Sequence, residues 1–332
     1  MRDYQPRQNT LTWSTTRITV LEYCNKKYFF NYYPHALKEL DEKIWLDALL
    51  LKNLKSIEMR MGEKTHHLLS DYLKLLKKEE ISDEKIQELK TAIADEMKGE
   101  FEISKNRDYS AGYDRERKFG LSEHFYGESI DDKLDFAINK VRGNLDAFIA
   151  SEWNDKVQHY FKTAKMVFVE SPRTKDFESM KLKLGSIPEL KNINVMASPD
   201  FGVIFDDKKY LIIDWKSGQE KNDSDGASDQ LKIYALKMLL KGHKEIDNLD
   251  IEGYEVYLPS MNQIGGKITK ADIDGIIEKL KEDVEYQKQF IIDGDEYKNE
   301  PLAHTSFPRT KSEKKCASCT FRHVCEELKE KE

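Results

Sequence analysis

The sequence predicts an α/β protein in which a central mixed sheet is flanked by helices, and two observations support this prediction. As far as about residue 165, apolar residues recur at intervals of three and four, which is the period of amphipathic helices. From residue 166 onward, short runs rich in valine, isoleucine and phenylalanine are separated by turn residues, which is typical of strands. The 332 residues, of which 39% are hydrophobic, are sufficient for one large folded core.

The first half of the chain is predicted to be mostly helical. Helices are expected over residues 40–76, 82–100 and 130–165, where apolar positions recur among many charges. The segment 104–127 interrupts this pattern, because it mixes arginines and aromatic residues with glycines. We expect a loop or an irregular insert there.

The second half is predicted to alternate strands with helices. Asp206-Asp207-Lys208 separates two apolar runs and predicts a hairpin turn. Helices are expected over residues 228–240 and 271–292, and the tail from residue 293 is expected to be loop-like as far as the cysteines. Strands are expected over residues 166–170, 181–184, 201–205, 210–215, 252–258 and 266–269.

Composition restricts the partners and the compartment. The formal net charge of −7, with 35% charged residues, argues against a chain that coats nucleic acid nonspecifically, so any such contact is expected to be local. Residues 1–12 contain no apolar signal region, and no run approaches the roughly 20 apolar residues of a membrane span. We therefore expect a cytoplasmic protein without a membrane segment.

The four cysteines are unevenly distributed. Cys24 stands alone near the start, whereas Cys316, Cys319 and Cys325 form a C-x2-C-x5-C cluster near the end. In a reducing compartment, a clustered set indicates metal ligands before disulfides. Four thiolates can bind zinc tetrahedrally or hold a 4Fe-4S cluster, and the spacing alone does not choose between them. Either site would draw the two termini together.

Two aspartates and a lysine form a second candidate site. The run Leu211-Ile212-Ile213-Asp214 is typical of a buried strand that ends in a charge, and Lys216 projects from the same face of the strand as Asp214. Asp200 opens the preceding strand of the hairpin. Such a group is costly to bury unless a cation and a substrate complete it, and magnesium is held by carboxylates, waters and phosphate oxygens. The alternative is a surface hairpin with an ordinary Lys–Asp ion pair.

Two helical features accompany this site. Gln230 and Tyr234 lie four residues apart, on one face of the helix that follows. His66 lies on the same helical stripe as Leu69 and Leu73, and a single histidine on such a stripe is usually a core residue. The residues alone leave the role of His66 open.

The order of these residues resembles the RecB-type branch of the PD-(D/E)xK nuclease superfamily. The segments that carry the resemblance are Gly62-Glu63-Lys64-Thr65-His66, Glu170, Ala197-Ser198-Pro199-Asp200, Asp214-Trp215-Lys216 and Gln230-Leu231-Lys232-Ile233-Tyr234. The resemblance implies a restriction-endonuclease-like core that uses Mg²⁺ or Mn²⁺. The implied metal ligands are His66, Asp200, Asp214 and the Trp215 carbonyl.

The same resemblance implies the remaining roles. Lys216 would be the catalytic lysine, and Gln230 and Tyr234 would complete the catalytic set on a helix that borders DNA. Glu170 is either an acid behind the metal ligands or only a strand-end charge.

The cysteine motifs extend the resemblance over most of the chain. Ser14-x2-Arg17 with residues 23–29 resembles the first cysteine motif of this branch, and residues 316–325 resemble the iron-sulfur tail of AddB-type and CRISPR-associated exonucleases. His323 is an alternative ligand within that tail. The resemblance implies a structural 4Fe-4S cluster, favoured over zinc, on Cys24, Cys316, Cys319 and Cys325.

The expected function is that of a metal-dependent deoxyribonuclease, an exonuclease on single-stranded DNA or DNA ends. One alternative is a non-catalytic DNA-binding or partner subunit that keeps the fold and the cluster, and another is a zinc-stapled RNA-processing nuclease. Gly265-Gly266-Lys267-Ile268 does not match the G-x4-G-K-[ST] loop, so we expect a free-standing nuclease rather than a helicase. A helicase or other DNA-processing protein is a candidate partner.

The expected organisation has three consecutive parts. Residues 1–165 form a helical N-terminal part that carries Cys24 and His66, and residues 166–295 form the nuclease core. Residues 296–332 carry the cysteine cluster and pack with the N-terminus as one unit.

Basic residues near the site are expected to line a local groove for phosphates. They are Lys26, Lys27, Arg173, Lys175, Lys181 and Lys183. Arginines among the aromatic residues of 107–126 would suit stacking of unpaired bases. The alternative for both is a solvated surface over packed aromatic side chains.

Overall fold

The computed structural model describes residues 10–111, 119–173, 180–220, 226–242 and 246–330. Over these ranges two mixed sheets are accompanied by flanking helices, which confirms the predicted α/β class. Within the described ranges, no helix combines the length and the apolar character that crossing a membrane requires.

Helices and strands are named in chain order. The helices are α1 (Thr15–Tyr23), α2 (Asn25–Tyr32), α3 (Glu42–Asn53), α4 (Ile57–Leu76), α5 (Asp83–Lys105), α6 (Ser122–Phe125), α7 (Lys133–Ile149), α8 (Glu152–Thr163), α9 (Asp229–Gly242), α10 (Lys270–Lys288), α11 (Glu313–Ala317) and α12 (Arg322–Glu330). The strands are β1 (Thr12–Trp13), β2 (Met166–Val169), β3 (Lys181–Lys183), β4 (Asn194–Met196), β5 (Phe201–Ile204), β6 (Lys209–Lys216), β7 (Asp250–Tyr257) and β8 (Asn262–Lys267).

By their internal contacts, the residues fall into two compact units. The first contains Met1–Leu54, Met180–Met196 and Ile277–Glu332, and the second contains Lys55–Ser179 and Ala197–Ile276. This grouping cuts across the three consecutive parts expected from the sequence, because the N-terminal helices divide between the units after Leu54. All four cysteines lie in the first unit, and every residue of the expected catalytic set lies in the second.

The second unit contains a sheet with the strand order β2-β5-β6-β7-β8. β5 runs antiparallel to β2 and β6, β6 runs parallel to β7, and β7 runs antiparallel to β8. The predicted turn between β5 and β6 is confirmed, since the Asp206 carboxylate accepts hydrogen bonds from the backbone N–H groups of Lys208 at 2.7 Å and Lys209 at 2.8 Å. This hairpin places the start of β5 beside the end of β6.

One face of this sheet forms the core of the second unit. Its alternate residues Val203, Leu211, Ile213 and Trp215 are buried in one apolar cluster with side chains of α4, α7 and α8. The Trp215 ring meets the Phe148 ring edge to face, with centroids 5.4 Å apart, a geometry that adds to the apolar burial. The strand alternation therefore leaves Asp214 and Lys216 to the opposite face.

The predicted helical stretch 40–76 is two helices, α3 and α4. The chain leaves the helical path at Leu54, and the backbone of Lys55 bonds to Gly120 and Ser122 instead. Ser56 then caps α4 by accepting a hydrogen bond from the Met59 N–H at 3.2 Å. Apolar periodicity continues across the break, so the pattern alone did not reveal it.

The second strand of the last hairpin lies at Asn262–Lys267 and not at the predicted 266–269. Gly265 and Gly266 both have positive φ, at 141° and 159°. A Cβ atom on Gly265 would lie 2.1 Å from the Gly253 carbonyl oxygen, so the close pairing with β7 requires glycine there. Gly266, which was expected to begin the strand, lies near its end.

The first unit contains a short sheet with the order β1-β4-β3, of which β1 and β4 were not predicted. The Trp13 indole donates to Asp283 Oδ2 at 2.9 Å and anchors β1 to α10. The same unit contains an aromatic core, in which Phe30 stacks on Phe321 with ring centroids 5.3 Å apart. The tail after residue 293, expected to be loop-like, includes α11, whose first turn is capped by the Ser312 side chain.

The insert at 104–127 is only partly irregular. α5 continues as far as Lys105 and α6 occupies Ser122–Phe125, while residues 112–118 lie outside the described ranges. The Arg107 guanidinium donates to the carbonyl oxygens of His124 and Phe125, both at 3.2 Å. Within the described residues, Arg107 therefore links the beginning of the insert to its end.

Candidate active site

The predicted catalytic side chains come from separate elements of the second unit. β6 supplies the acid and the lysine at its C-terminal end, and α4 and α9 supply the histidine and the glutamine–tyrosine pair. The structure brings these side chains together where β5 begins and β6 ends. They are His66, Asp200, Asp214, Lys216, Gln230 and Tyr234.

Asp200 is held by both backbone and side-chain contacts. Its Oδ2 atom accepts a hydrogen bond from the Trp215 N–H at 2.8 Å and lies 3.4 Å from His66 Nδ1. Burial acts to raise the pKa of the Asp200 carboxyl, but the charge and hydrogen bond of His66 and the Trp215 N–H lower the pKa below its usual value. Asp200 is therefore an ionised carboxylate at neutral pH.

His66 faces the acids and is not a core histidine. Its side chain is 29% exposed, whereas Leu69 and Leu73 on the same helix are buried. Burial acts to lower the pKa of the imidazole, but the neighbouring Asp200 raises it above the ordinary value. The next residue, His67, is the buried histidine of this helix, and neither of its ring nitrogens has a hydrogen-bond partner among the described residues.

Asp214 is bonded through both carboxylate oxygens. Oδ1 accepts from Gln230 Nε2 at 2.8 Å and from the Tyr234 hydroxyl at 3.4 Å, and Oδ2 pairs with Lys216 Nζ at 2.5 Å. Burial, followed by the negative charge of Asp200, raises the pKa of the Asp214 carboxyl to about 6. The pKa values of the two aspartates are thus shifted in opposite directions, which is common at sites that bind protons or cations.

Lys216 is held by three partners. Besides Asp214, its ammonium donates to Gln230 Oε1 at 3.1 Å and lies 3.6 Å from a carboxylate oxygen of Glu255. Burial acts to lower the pKa of Lys216, but Asp214 and Glu255 raise it. The ammonium is charged and fixed in position.

Glu255 was not among the residues predicted from the sequence. It lies on β7 directly beside Asp214, because β6 and β7 pair in parallel and in that register. The predicted strand 252–258 contains it, but only the strand pairing reveals that it faces Lys216.

Glu170 also belongs to the site. Its carboxyl is hydrogen-bonded to that of Asp200, and its backbone carbonyl accepts from the Ser70 hydroxyl at 2.7 Å. It is therefore more than a strand-end charge. A small pocket is lined here by His66, Ser70, Leu73, Val169, Glu170, Pro172, Asp200 and Trp215.

Comparison with protein families agrees with this geometry. The family model of the PD-(D/E)XK nuclease superfamily matches residues 12–326. The chain belongs to this superfamily. A search of curated proteins finds no match. The mixed sheet with flanking helices is accordingly the restriction-endonuclease-like core expected from the sequence, and the chain is a nuclease by family.

The donor set suits the divalent metals that PD-(D/E)XK nucleases generally use. Glu170, Asp200 and Asp214 bring carboxylates together in a buried place, and Mg²⁺ and Mn²⁺ prefer such oxygen ligands. In the described residues of the site, no three ligand atoms lie within 4.8 Å of one another. Ligation through His66, Asp200 and Asp214 would therefore require these side chains to move closer together.

The four cysteines of this PD-(D/E)XK chain are free thiols in the first unit. The pKa of the Cys325 thiol is raised to about 11, chiefly by burial, against the charge of Arg309, and the nearby Cys319 and Cys24 also act to raise it. Cys24 and Cys316 act in the same way on the pKa of Cys319, which burial also raises. The structure thus brings the remote Cys24 to the C-terminal cluster.

His323 belongs to a different group. Among the described residues, Asp47, His323 and Glu327 are the acid, histidine or cysteine side chains that bring three ligand atoms within 4.8 Å of one another. Lys43 already pairs with both of these acids. His323 Nε2 lies 3.7 Å from Glu327 Oε2, so the ring faces this acid.

The predicted basic groove is wrong for at least Lys26. This side chain is 3% exposed, and its ammonium donates to the His304 carbonyl at 2.8 Å. Arg173 pairs with Asp71 and Glu96, both at 3.0 Å, and Lys27 lies over the Tyr23 ring. Lys181 and Lys183 lie on β3 in the first unit, and Lys175 lies outside the described residues.

Proposed function

We propose that this nuclease is a metal-dependent deoxyribonuclease of the RecB-type branch, acting as an exonuclease on single-stranded DNA or DNA ends. One observation carries the proposal: the buried Asp214 and the half-buried Lys216 form an ion pair beside Asp200, and Gln230 and Glu255 complete their contacts. A buried group of this kind costs free energy in a protein that only binds. The choice of DNA as partner and substrate rests on the resemblance to the RecB-type branch.

The proposed metal is Mg²⁺ or Mn²⁺, held by His66, Asp200, Asp214 and the Trp215 carbonyl. A divalent ion bound there would lower the pKa of water and neutralise charge on the phosphate. The charge of His66 and the hydrogen bond from the Trp215 N–H keep the Asp200 carboxylate ionised and so available to a cation. Asp214, with its pKa of about 6, is ionised in most molecules at neutral pH and becomes more acidic next to a cation.

Lys216 is the proposed catalytic lysine. Asp214 and Glu255 hold its ammonium in the charged form at the edge of the acid cluster. A fixed positive charge there stabilises the negative charge that develops on a scissile phosphate. Gln230 orients both members of the pair, since it donates to Asp214 and accepts from Lys216.

The proposed structural cofactor is a 4Fe-4S cluster on Cys24, Cys316, Cys319 and Cys325. Tetrahedral zinc with Zn–S distances of about 2.3 Å needs sulfur atoms about 3.8 Å apart. No three of the four thiols lie within 4.8 Å of one another. The preference for a 4Fe-4S cluster over zinc rests on the resemblance of residues 316–325 to an iron-sulfur tail.

The alternative is a non-catalytic DNA-binding or partner subunit that works with a helicase or another DNA-processing protein. The experiment that separates the two uses anaerobically purified protein with single-stranded and duplex DNA labelled at either end. Cleavage is followed with Mg²⁺, Mn²⁺ or EDTA. The variants are Lys216→Ala and Lys165→Ala, the second being a matched control because Lys165 is an exposed lysine paired with Asp207.

We expect metal-dependent degradation by the wild type and by Lys165→Ala, with a loss of at least about 100-fold in Lys216→Ala. The labelled end that disappears first gives the polarity. Equal cleavage by all three proteins would remove Lys216 from the mechanism. Binding without cleavage on every substrate would support the subunit alternative.

A further inference from the structure

Strand β2 exposes two large apolar side chains on one face. Met166 is 59% exposed and Phe168 is 45% exposed, whereas Val167 between them is buried in the core of the second unit. Single exposed apolar side chains are common on protein surfaces, so exposure alone does not assign a role to Phe168. Its position relative to the acids carries the argument.

The pairing of the strands places Phe168 on the face that carries Asp214. Phe168 lies opposite Gly202 of β5, and Gly202 lies opposite Ile212 of β6, two residues before Asp214. Side chains two residues apart on a strand share a face. The exposed ring and the Asp214 carboxylate are therefore on one surface of the sheet.

The ladder continues from Phe168 to the acids. Two residues beyond Phe168, the Glu170 N–H donates to the Asp200 carbonyl at 2.8 Å. Two residues along a strand span roughly 6.8 Å, and neighbouring strands lie roughly 4.8 Å apart, so the Cα atoms of Phe168 and Asp200 are roughly 8 Å apart. This separation is comparable to that between a nucleotide's phosphate and its own or the adjoining base.

Among the described residues, the surface around Phe168 is open. α9 packs across β6 and β7 on this side of the sheet, and the strip over β2 and β5 lies beyond it. Gly202, across from Phe168, contributes no side chain, and a Cβ there would lie 3.8 Å from the Phe168 Cβ. Directly across the ladder, the phenyl ring therefore has no side chain opposite it.

We propose that Phe168 is a stacking platform for an unpaired nucleobase of a DNA strand whose phosphate lies at the acid cluster. The inference rests on the proposed function and adds to it a determinant of strand preference. An aromatic ring gains binding free energy by stacking with any base, but a base inside a duplex is already stacked on its neighbours. The platform therefore favours single strands and frayed ends over intact duplex.

The test compares Phe168→Ala and Phe168→Trp with Phe136→Ala, a matched control because Phe136 on α7 is also exposed, at 66%. Binding of a labelled single-stranded oligonucleotide and of its duplex is measured by anisotropy in EDTA. Cleavage is measured with Mn²⁺. Thermal unfolding of each variant is recorded, and we expect it to be close to the wild type.

We expect Phe168→Ala to weaken single-strand binding by roughly 5- to 150-fold, the range for one stacked base, with little change for the duplex. KM for the single strand should rise while kcat is retained. Phe168→Trp should bind the single strand with about the wild-type affinity. The fluorescence of the added tryptophan should be quenched by the oligonucleotide. Phe136→Ala should behave as the wild type.

Three outcomes would overturn the inference, and the first two leave the proposed function standing. Wild-type cleavage with unchanged affinity in Phe168→Ala rejects the platform alone. Loss of protein self-association in Phe168→Ala, with unchanged oligonucleotide binding, would instead make the strip a contact between copies of the chain. A wild type that neither binds nor cleaves DNA rejects the platform together with the proposed function.

Discussion

Asp214 is the side chain on which the contacts of the site converge. Its two oxygens are shared among Gln230, Tyr234 and Lys216, so no other group can replace it without leaving these donors unmatched. We expect Asp214→Ala to reduce the rate of DNA cleavage by at least about 100-fold. The visible absorbance of a bound cluster should not change. End-labelled DNA cleavage and an absorbance spectrum check both parts.

The control for this change is Asp207→Ala, in the exposed turn between β5 and β6. It removes an aspartate from the same hairpin without touching the acid cluster. Cleavage that survives Asp214→Ala, or that falls equally in Asp207→Ala, would show that the site assignment is wrong.

The adjacent histidines of α4 are expected to respond in opposite ways to substitution. Burial, with the nearby Arg173 charge, lowers the pKa of His67 to about 4, so the ring is neutral and buried at pH 7. Its nitrogens lack partners among the described residues, and an unmatched buried polar group costs roughly 1–3 kcal/mol. We expect His67→Leu to raise the free energy of unfolding by about 1 kcal/mol and to leave cleavage intact.

His66→Leu provides the contrast. It removes a partner of Asp200 and is expected to reduce cleavage without a gain in stability. Urea unfolding and a cleavage assay on the two variants test the pair. A stability gain in His66→Leu together with a loss of cleavage in His67→Leu would reverse the assignment.

At the residue scale, spacing was sufficient to place Asp214 and Lys216 on one face of a strand. It could not reveal Glu255, because that residue enters through the pairing of β6 with β7, which joins positions far apart in sequence. Charge alone was misleading for Lys26, since a sequence does not show that an ammonium is buried against a backbone carbonyl. Helical periodicity also could not distinguish His66 from His67 by burial.

At the scale of elements, α4 is fixed to its neighbours by charge as well as by apolar contact. Lys64 is fully buried, and its ammonium pairs with Glu96 and Glu100 of α5. Glu63, the preceding residue, pairs with Lys55 and Arg60. Because His66 lies one turn further on, these pairs help to fix the helix that presents it to the acids.

The Glu63 pairs predict a dependence of stability on pH. Burial acts to raise the pKa of the Glu63 carboxyl, but the hydrogen bond from Lys55 and the charge of Arg60 hold it at about 2, against an ordinary 4.5. The unfolded chain therefore binds more protons between these values, so the stability from Glu63 is complete above pH 4.5 and is lost as the pH falls towards 2. Since the side chain is partly exposed, we expect only about 1 kcal/mol.

The measurement is the free energy of unfolding of the wild type and of Glu63→Gln between pH 2 and 7. We expect the two curves to converge at low pH and to separate above pH 4.5, with the variant less stable. Glu88→Gln, an exposed glutamate paired within α5, serves as the control. Parallel curves for Glu63→Gln and the wild type would contradict the prediction.

Two glycines provide a second prediction at this scale. Gly265→Ala would place a methyl group 2.1 Å from the Gly253 carbonyl oxygen, at a φ of 141°, and we expect it to cost at least about 2 kcal/mol. Gly275→Ala on α10 meets no atom within 4 Å and should be neutral or stabilising by up to about 1 kcal/mol. Denaturant unfolding of both variants distinguishes them, and equal midpoints would contradict the assigned β7–β8 register.

The elements that the sequence predicted well are those with a long period or a clear turn. β6 and the turn at Asp206 belong to this class. β1 and β4 have two and three residues, which is too short to show the alternation of apolar and polar residues that predicts a strand. They are defined by their partners in the sheet. The break at Leu54 was missed for the opposite reason, since apolar spacing continued across it.

At the scale of the whole molecule, the first unit is assembled from three separated segments of the chain. Its cysteines come from the first and the last of these segments. Aromatic contacts already join the two, since Phe30 stacks on Phe321 and Phe29 lies against Phe307 with ring centroids 4.9 Å apart. A cluster bound by the four thiols would add covalent links to this packing.

These links predict that Cys319→Ala affects the whole unit and not only one ligand position. Loss of one thiolate should release the cluster, and with it the constraint on the unfolded chain that ligands far apart in sequence impose. We expect a lower visible absorbance, less iron and labile sulfide, reduced solubility and a lower unfolding temperature than in Ser318→Ala, the neighbouring control. Stoichiometric zinc without iron in the anaerobically purified wild type would instead assign the thiols to a zinc site. The four sulfur atoms, of which no three lie within 4.8 Å of one another, would then have to move together into a tetrahedron.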